Sequence, residues 1–109
     1  MDEMNHDELP GDYAICIAGH GSRDKEGIQE FLTLCSKFKE REPRRIVECG
    51  FLEFAKPTIG EAIHKCVQDG IKNIVVIPGV LMAAGHAKND MPSEVLSIAQ
   101  KFPDVNIQY

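Results

Sequence analysis

The sequence predicts an α/β domain: a parallel sheet in βαβαβαβ order with helices on both faces. Three observations carry this reading. Short apolar runs rich in β-formers alternate with stretches of helical period, the connections between them are short, and Gly, Pro or a capping residue marks the boundaries. Strand twist makes each crossover right-handed.

The first strand is YAICIAG (13–19), an apolar run closed by a glycine. From Asp24 to about Glu42, Ile28, Phe31, Leu32, Cys35 and Phe38 recur at spacings of three and four, the signature of an amphipathic helix, which Pro43 stops. RIVECGF (45–51) is the second strand. Thr58 and Glu61 have the spacing of a capping box, so a second helix starts there. Ile59, Ala62, Ile63, Cys66 and Val67 form its buried stripe, and Gly70 ends it. NIVVIPGV (73–80), the most apolar run, is the third strand and expected to be central. The loop LMAAGHAKND (81–90) leads to a third helix over 91–102, with Val95, Leu96, Ala99 and Phe102 facing inward. VNIQY (105–109) is the fourth strand.

Residues 1–12 carry Asp2, Glu3, Asp7, Glu8 and Asp12 and no Lys or Arg, and read as a disordered acidic tail. The net charge of −5 belongs to that tail, because the remainder carries twelve acidic and twelve basic residues. Residues 13–109 are expected to form a single domain, long enough for one core but too short for a deep cleft between two full domains. It ends directly on a strand, as a domain truncated at its C-terminus would, with a last helix missing or supplied by another segment.

No run approaches the roughly 20 apolar residues of a membrane span. No basic start followed by an apolar block marks a secretory signal, which suggests a cytoplasmic protein. A basic stripe with aromatic interleaving is lacking, so nucleic acid is not an expected partner. Cys16, Cys35, Cys49 and Cys66 form no CxxC pair, and each falls within a strand or helix pattern. They read as buried free thiols in a reducing compartment.

In an open parallel sheet, ligands bind beyond the carboxyl ends of the strands. The first strand runs there into Gly19-His20-Gly21-Ser22-Arg23, the second into Leu52-Glu53-Phe54, and the third into Gly85-His86-Ala87-Lys88-Asn89-Asp90. Two histidines and a carboxylate thus converge on one edge from three loops, and the small residues beside each histidine let a large planar ligand approach the backbone. Neutral imidazole suits cobalt, nickel, iron or zinc, and a group with a pKa near 6.5 also accepts protons at neutral pH. A phosphate cradle at Ser22 and Arg23 is a rival reading, although neither GxGxxG nor GxxxxGK[ST] is present. His64, beside the apolar stripe of the second helix, is expected to be exposed, and neither it nor His6 is assigned a role.

GHGSRD after the first strand, FLEFAKPT after the second and GHAKNDMP after the third together resemble the short CbiX-type sirohydrochlorin cobaltochelatases, class II chelatases of the lyase class. The resemblance runs from about Tyr13 to Tyr109. It implies a chelatase-like (flavodoxin-like) half-domain that inserts Co2+ into sirohydrochlorin on the route to cobalamin, without an organic cofactor. Iron or nickel insertion into the same tetrapyrrole, and a non-catalytic metal- or tetrapyrrole-binding module, are the alternatives. Carried over by position, His20 and His86 would bind the incoming metal and accept pyrrole protons, and Glu53 would assist. Ser22, Arg23, Lys88 and Asp90 match polar positions that would meet the macrocycle and its carboxylates. Enclosing a tetrapyrrole with one domain of this size implies a homodimer.

Overall fold

A computed structural model describes residues 13–21, 23–79 and 90–109; the acidic tail, Ser22 and the segment 80–89 lie outside the described residues. The elements run β1 (Tyr13–Gly19), α1 (Lys25–Arg41), β2 (Ile46–Phe51), α2 (Ile59–Gln68), β3 (Asn73–Pro78), α3 (Asp90–Gln100) and β4 (Asn106–Gln108). The strands form one four-stranded sheet in the order β2-β1-β3-β4, and every pairing is parallel. The α/β class and the element order agree with the sequence, and element ends differ by one or two residues.

β1 organises the interior. All seven of its residues are buried, and they divide by the two-residue period of a strand. Ala14, Cys16 and Ala18 face a core made with Ile59, Ala62, Ile63 and Cys66 of α2, Ile74 and Val76 of β3, and Met91, Val95 and Ile98 of α3. Tyr13, Ile15 and Ile17 face the opposite core, with Phe31 and Cys35 of α1 and Val47 and Phe51 of β2. The small side chains thus lie on the face that carries two helices, and the bulky ones on the face that carries α1.

β3 is interior in the strand order, as expected, but it is not the most buried strand. It is half-buried at Asn73 and Val75, exposed at Pro78, and Ile77 is 37% exposed. The core under α1 is made with β1 and β2, which leaves Ile77 less covered.

The helix ends are formed as their sequences dictate. The Asp24 side chain accepts from the Glu26 N–H at 3.1 Å and caps α1. Thr58 and Glu61 form the expected reciprocal box, at 3.1 Å and 2.9 Å. Gly70, at φ +86°, follows the Asp69 cap of α2.

The inward face of α3 needs correction. Met91, Val95 and Ile98 are buried, Ala99 and Phe102 are half-buried, and Leu96 is 62% exposed. Apolar residues at 91, 95, 96, 98, 99 and 102 make a stripe wider than the sheet can cover. Met91 and Ile98 rotate its centre away from Leu96.

The loops after β1 and β2 are clasped together. The Leu52 N–H donates to the Gly19 carbonyl at 2.8 Å, and the Glu53 N–H to the His20 carbonyl at 3.1 Å. The first loop turns at Gly21, whose φ of +94° is open to glycine; a Cβ built there would lie 1.7 Å from the Glu53 carbonyl oxygen. Gly19 is fixed similarly, since its Cβ would stand 2.8 Å from the Phe31 ring. Internal packing therefore accounts for both glycines flanking His20, without an approaching planar ligand.

Two predictions follow from this packing, both measurable by urea unfolding. Ile98→Ala should cost about 2–5 kcal/mol, and Leu96→Ala should stay within about 0.5 kcal/mol. Gly70→Ala, where nothing stands within 4 Å of the added carbon, should cost only its left-handed backbone, about 1 kcal/mol. Gly21→Ala must also displace the Glu53 carbonyl and should cost more than about 2 kcal/mol.

Candidate functional site

Because every strand pair is parallel, the chain leaves β1, β2 and β3 at the same edge of the sheet. β1 delivers His20 there, one residue past its end, and β2 delivers Glu53 two residues past its end. The N–H of Glu53 bonded to the carbonyl of His20 fixes the two backbones against each other. The third loop also starts on this edge, tied in by the Gly79 N–H donating to the Ala18 carbonyl at 2.8 Å. His86 and Lys88 lie outside the described residues, as does Ser22, and Asp90 is described only as the first residue of α3.

His20 is half-buried, and its Nε2 is wholly shielded from water without a hydrogen-bond partner. Among the described residues it is the only side-chain nitrogen or oxygen in that condition. A shielded polar atom left unpaired costs about 1–3 kcal/mol, which any ligand offering a proton or an empty orbital would relieve. Imidazole Nε2 can supply the acceptor lone pair for either. Glu53, in contrast, is exposed, so its carboxylate stays hydrated and free to approach a ligand.

Arg23 and Phe54 form a second feature of this edge. The Arg23 guanidinium carbon lies 4.7 Å from the centre of the Phe54 ring, and Phe54 is 55% exposed. Phe54 also adopts φ 71°, the left-handed region that side chains with a Cβ avoid at a cost of about 1–2 kcal/mol. From sequence alone Phe54 falls in the second loop and has no assigned role. The available signal was a large aromatic directly after the candidate acid in a loop beyond the strand. Asp24, at the end of the first motif, is accounted for as the cap of α1.

The remaining expectations divide clearly. His64 is exposed and lies beside the Phe102 ring, 6.0 Å between centroids, in the groove between α2 and α3. All four cysteines are free thiols; Cys16, Cys35 and Cys66 are buried and Cys49 is half-buried. Burial pushes the Cys16 thiol up to about 12 and the Cys66 thiol up to about 11, which keeps both protonated and inert. No three His, Cys, Asp or Glu side chains among the described residues are grouped to hold a metal ion. No helix among them is long and apolar enough to cross a membrane.

Comparison with known proteins matches this chain over residues 14–109 to the family model CbiX. It is 38% identical over 96 residues to the sirohydrochlorin ferrochelatase of Bacillus subtilis (strain 168), covering 88% of this chain and 37% of that one. To the sirohydrochlorin cobaltochelatase of Priestia megaterium it is 37% identical over 97 residues, covering 88% of this chain and 31% of the relative. The solved structure of SirB from Bacillus subtilis with Fe3+ superposes with a TM-score of 0.79 at 38% identity, over 88% of this chain and 38% of that one. The chain thus spans about a third of the length of these relatives. With the family match running from residue 14 of β1 through β4, and with relatives of both metal names identical at over a third of the aligned positions, the chain belongs to the CbiX family.

Proposed function

We propose that this chain is a class II chelatase domain that inserts Co2+ into sirohydrochlorin, with Fe2+ or Ni2+ as the alternative metal. The observation that carries the reading is the water-shielded, unpartnered Nε2 of His20 at the ligand edge of a CbiX-family sheet. The relatives named as ferrochelatases and cobaltochelatases support the substrate class and leave the metal open. The metal is a substrate here, and no organic cofactor takes part.

Insertion requires two things at once: a donor that holds the ion while it loses water, and a base for the two pyrrole N–H protons that the ion replaces. His20 and His86 hold the ion and receive the protons, because neutral imidazole does both near pH 7. Glu53, hydrated and tied to His20 by a backbone hydrogen bond between their loops, carries protons away or helps shed metal-bound water. Arg23 and Lys88 meet the carboxylates on the rim of the macrocycle, with Ser22 and Asp90 as further polar contacts. Residues 13–109 act as one domain behind the acidic tail 1–12, in the cytoplasm. A second copy supplies the other wall around the tetrapyrrole, which makes the working unit a homodimer.

The test is the absorbance change of sirohydrochlorin with Co2+, Ni2+ or Fe2+ supplied separately. The wild-type chain should accelerate insertion over the uncatalysed rate. His20→Ala and His86→Ala should each lose at least about 100-fold, the share expected of a general base. Arg23→Ala should mainly raise KM for the tetrapyrrole. No acceleration with any of the three metals would overturn the enzymatic reading. Sedimentation showing only monomer with the tetrapyrrole present would overturn the shared site.

A further inference from the structure

Away from the ligand edge, α1 and β2 bring two thiols together on one face of the sheet. The register is set by an aromatic pair: the Phe31 and Phe51 rings lie 5.0 Å apart between centroids. Cys35 is four residues further along α1, about 6 Å at 1.5 Å per residue, and on the same helix face. Cys49 is two residues back along β2, about 6.6 Å at 3.3 Å per residue, and on the same strand face. A crossover helix runs opposite to the strands it joins, so both steps lead in the same direction. The cysteines form the next rung beside the phenylalanines.

The surroundings agree with this placement. Cys35 belongs to the core under α1, and Cys49 packs against that core. Both line a cavity of about 180 Å3, together with Leu32, Ser36, Lys39 and Val47, whose mouth carries the exposed Ser36 and Lys39. Among the described residues β2 is an edge strand, and no further strand of theirs closes that side. A small reagent can reach the two sulfurs there.

The charges around the pair favour one sulfur as the nucleophile. The Cys35 S–H donates to Cys49, and the Lys39 ammonium adds to the effect. Together they hold the Cys49 thiol below its usual value, while the same hydrogen bond and burial push Cys35 above it. Glu48, the opposing carboxylate, is engaged by the Lys65 ammonium at 3.2 Å. Cys16 and Cys66 remain protonated in the other core.

We propose that Cys49 and Cys35 are a thiol pair that hydroperoxides convert into an intramolecular disulfide joining α1 to β2. The Cys49 thiolate attacks one peroxide oxygen, the O–O bond breaks, and the sulfur leaves as sulfenic acid while the other oxygen departs as hydroxide or alkoxide. Cys35 loses its proton and attacks the Cys49 sulfur. The S–S bond forms as the S–O bond breaks, and the sulfenic oxygen leaves as water. Two electrons pass from the thiols to the peroxide, and a dithiol reductant reverses the change.

The experiment treats the full chain with hydrogen peroxide and maps it by mass spectrometry after non-reducing digestion. A Cys35–Cys49 peptide pair should appear, with two of the four free thiols lost and both recovered on adding dithiothreitol. In C35S the resolving thiol is gone, so dimedone should label Cys49 as sulfenic acid. The wild-type map alone would overturn the proposal if the disulfide joins any other pair. Over-oxidation of wild-type Cys49 to sulfinic acid as fast as in C35S would also overturn it, as would four free thiols persisting through peroxide treatment.

Discussion

The packing of β1 on both faces is the constraint from which the rest of the molecule follows. A strand with hydrogen-bonded neighbours on both edges and helices on both faces has no polar surface to show, so all seven residues from Tyr13 to Gly19 are buried. Alternating Ala, Cys and Ala with Tyr, Ile and Ile gives each face a different depth, shallow for α2 and α3 and filled for α1. The first residue past that strand is His20. Its backbone is therefore held by a strand whose every residue is buried, and that packing keeps it rigid, while its ring emerges at the edge where a parallel sheet binds ligands.

That rigidity is carried to the neighbouring loop by close backbone contact. Gly19 and His20 accept backbone hydrogen bonds from Leu52 and Glu53, and Gly21 passes so near Glu53 that its carbonyl takes the place a Cβ would need. Gly21 sets how closely the loops bearing His20 and Glu53 approach, and the side chains of those two residues differ in what surrounds them. The histidine nitrogen is shielded and unpaired, whereas the carboxylate is hydrated. Such a difference lets one group hold an ion or proton and the other exchange with solvent.

Much of this was legible in the sequence because local rules agreed with the global fold. The Thr58–Glu61 box, the stop at Gly70, the period of α1 and the buried run of β1 each follow from nearest-neighbour chemistry. Where the sequence misled, the cause was tertiary. Leu96 lies on an apolar stripe broader than the available sheet, so only packing decides which part faces inward. The purpose of Gly19 and Gly21 was misread because their close neighbours, Phe31 and Glu53, are distant in the chain. The stacking of Arg23 on Phe54 and the rung of Cys35 with Cys49 were invisible for the same reason, since each depends on how a loop or helix meets an element elsewhere in sequence. The shared edge of His20 and Glu53 was legible because strand order and parallel pairing alone bring them there, whereas Ser22, His86 and Lys88 lie outside the described residues.

The central claim is that the Nε2 of His20 is left unpaired in order to accept a ligand. Long-range proton–nitrogen NMR of the imidazoles during a titration with diamagnetic Zn2+ reads that atom directly. The His20 Nε2 resonance should move on binding, while those of the exposed His64 stay in place. A His20 Nε2 unmoved at saturating metal would contradict the claim.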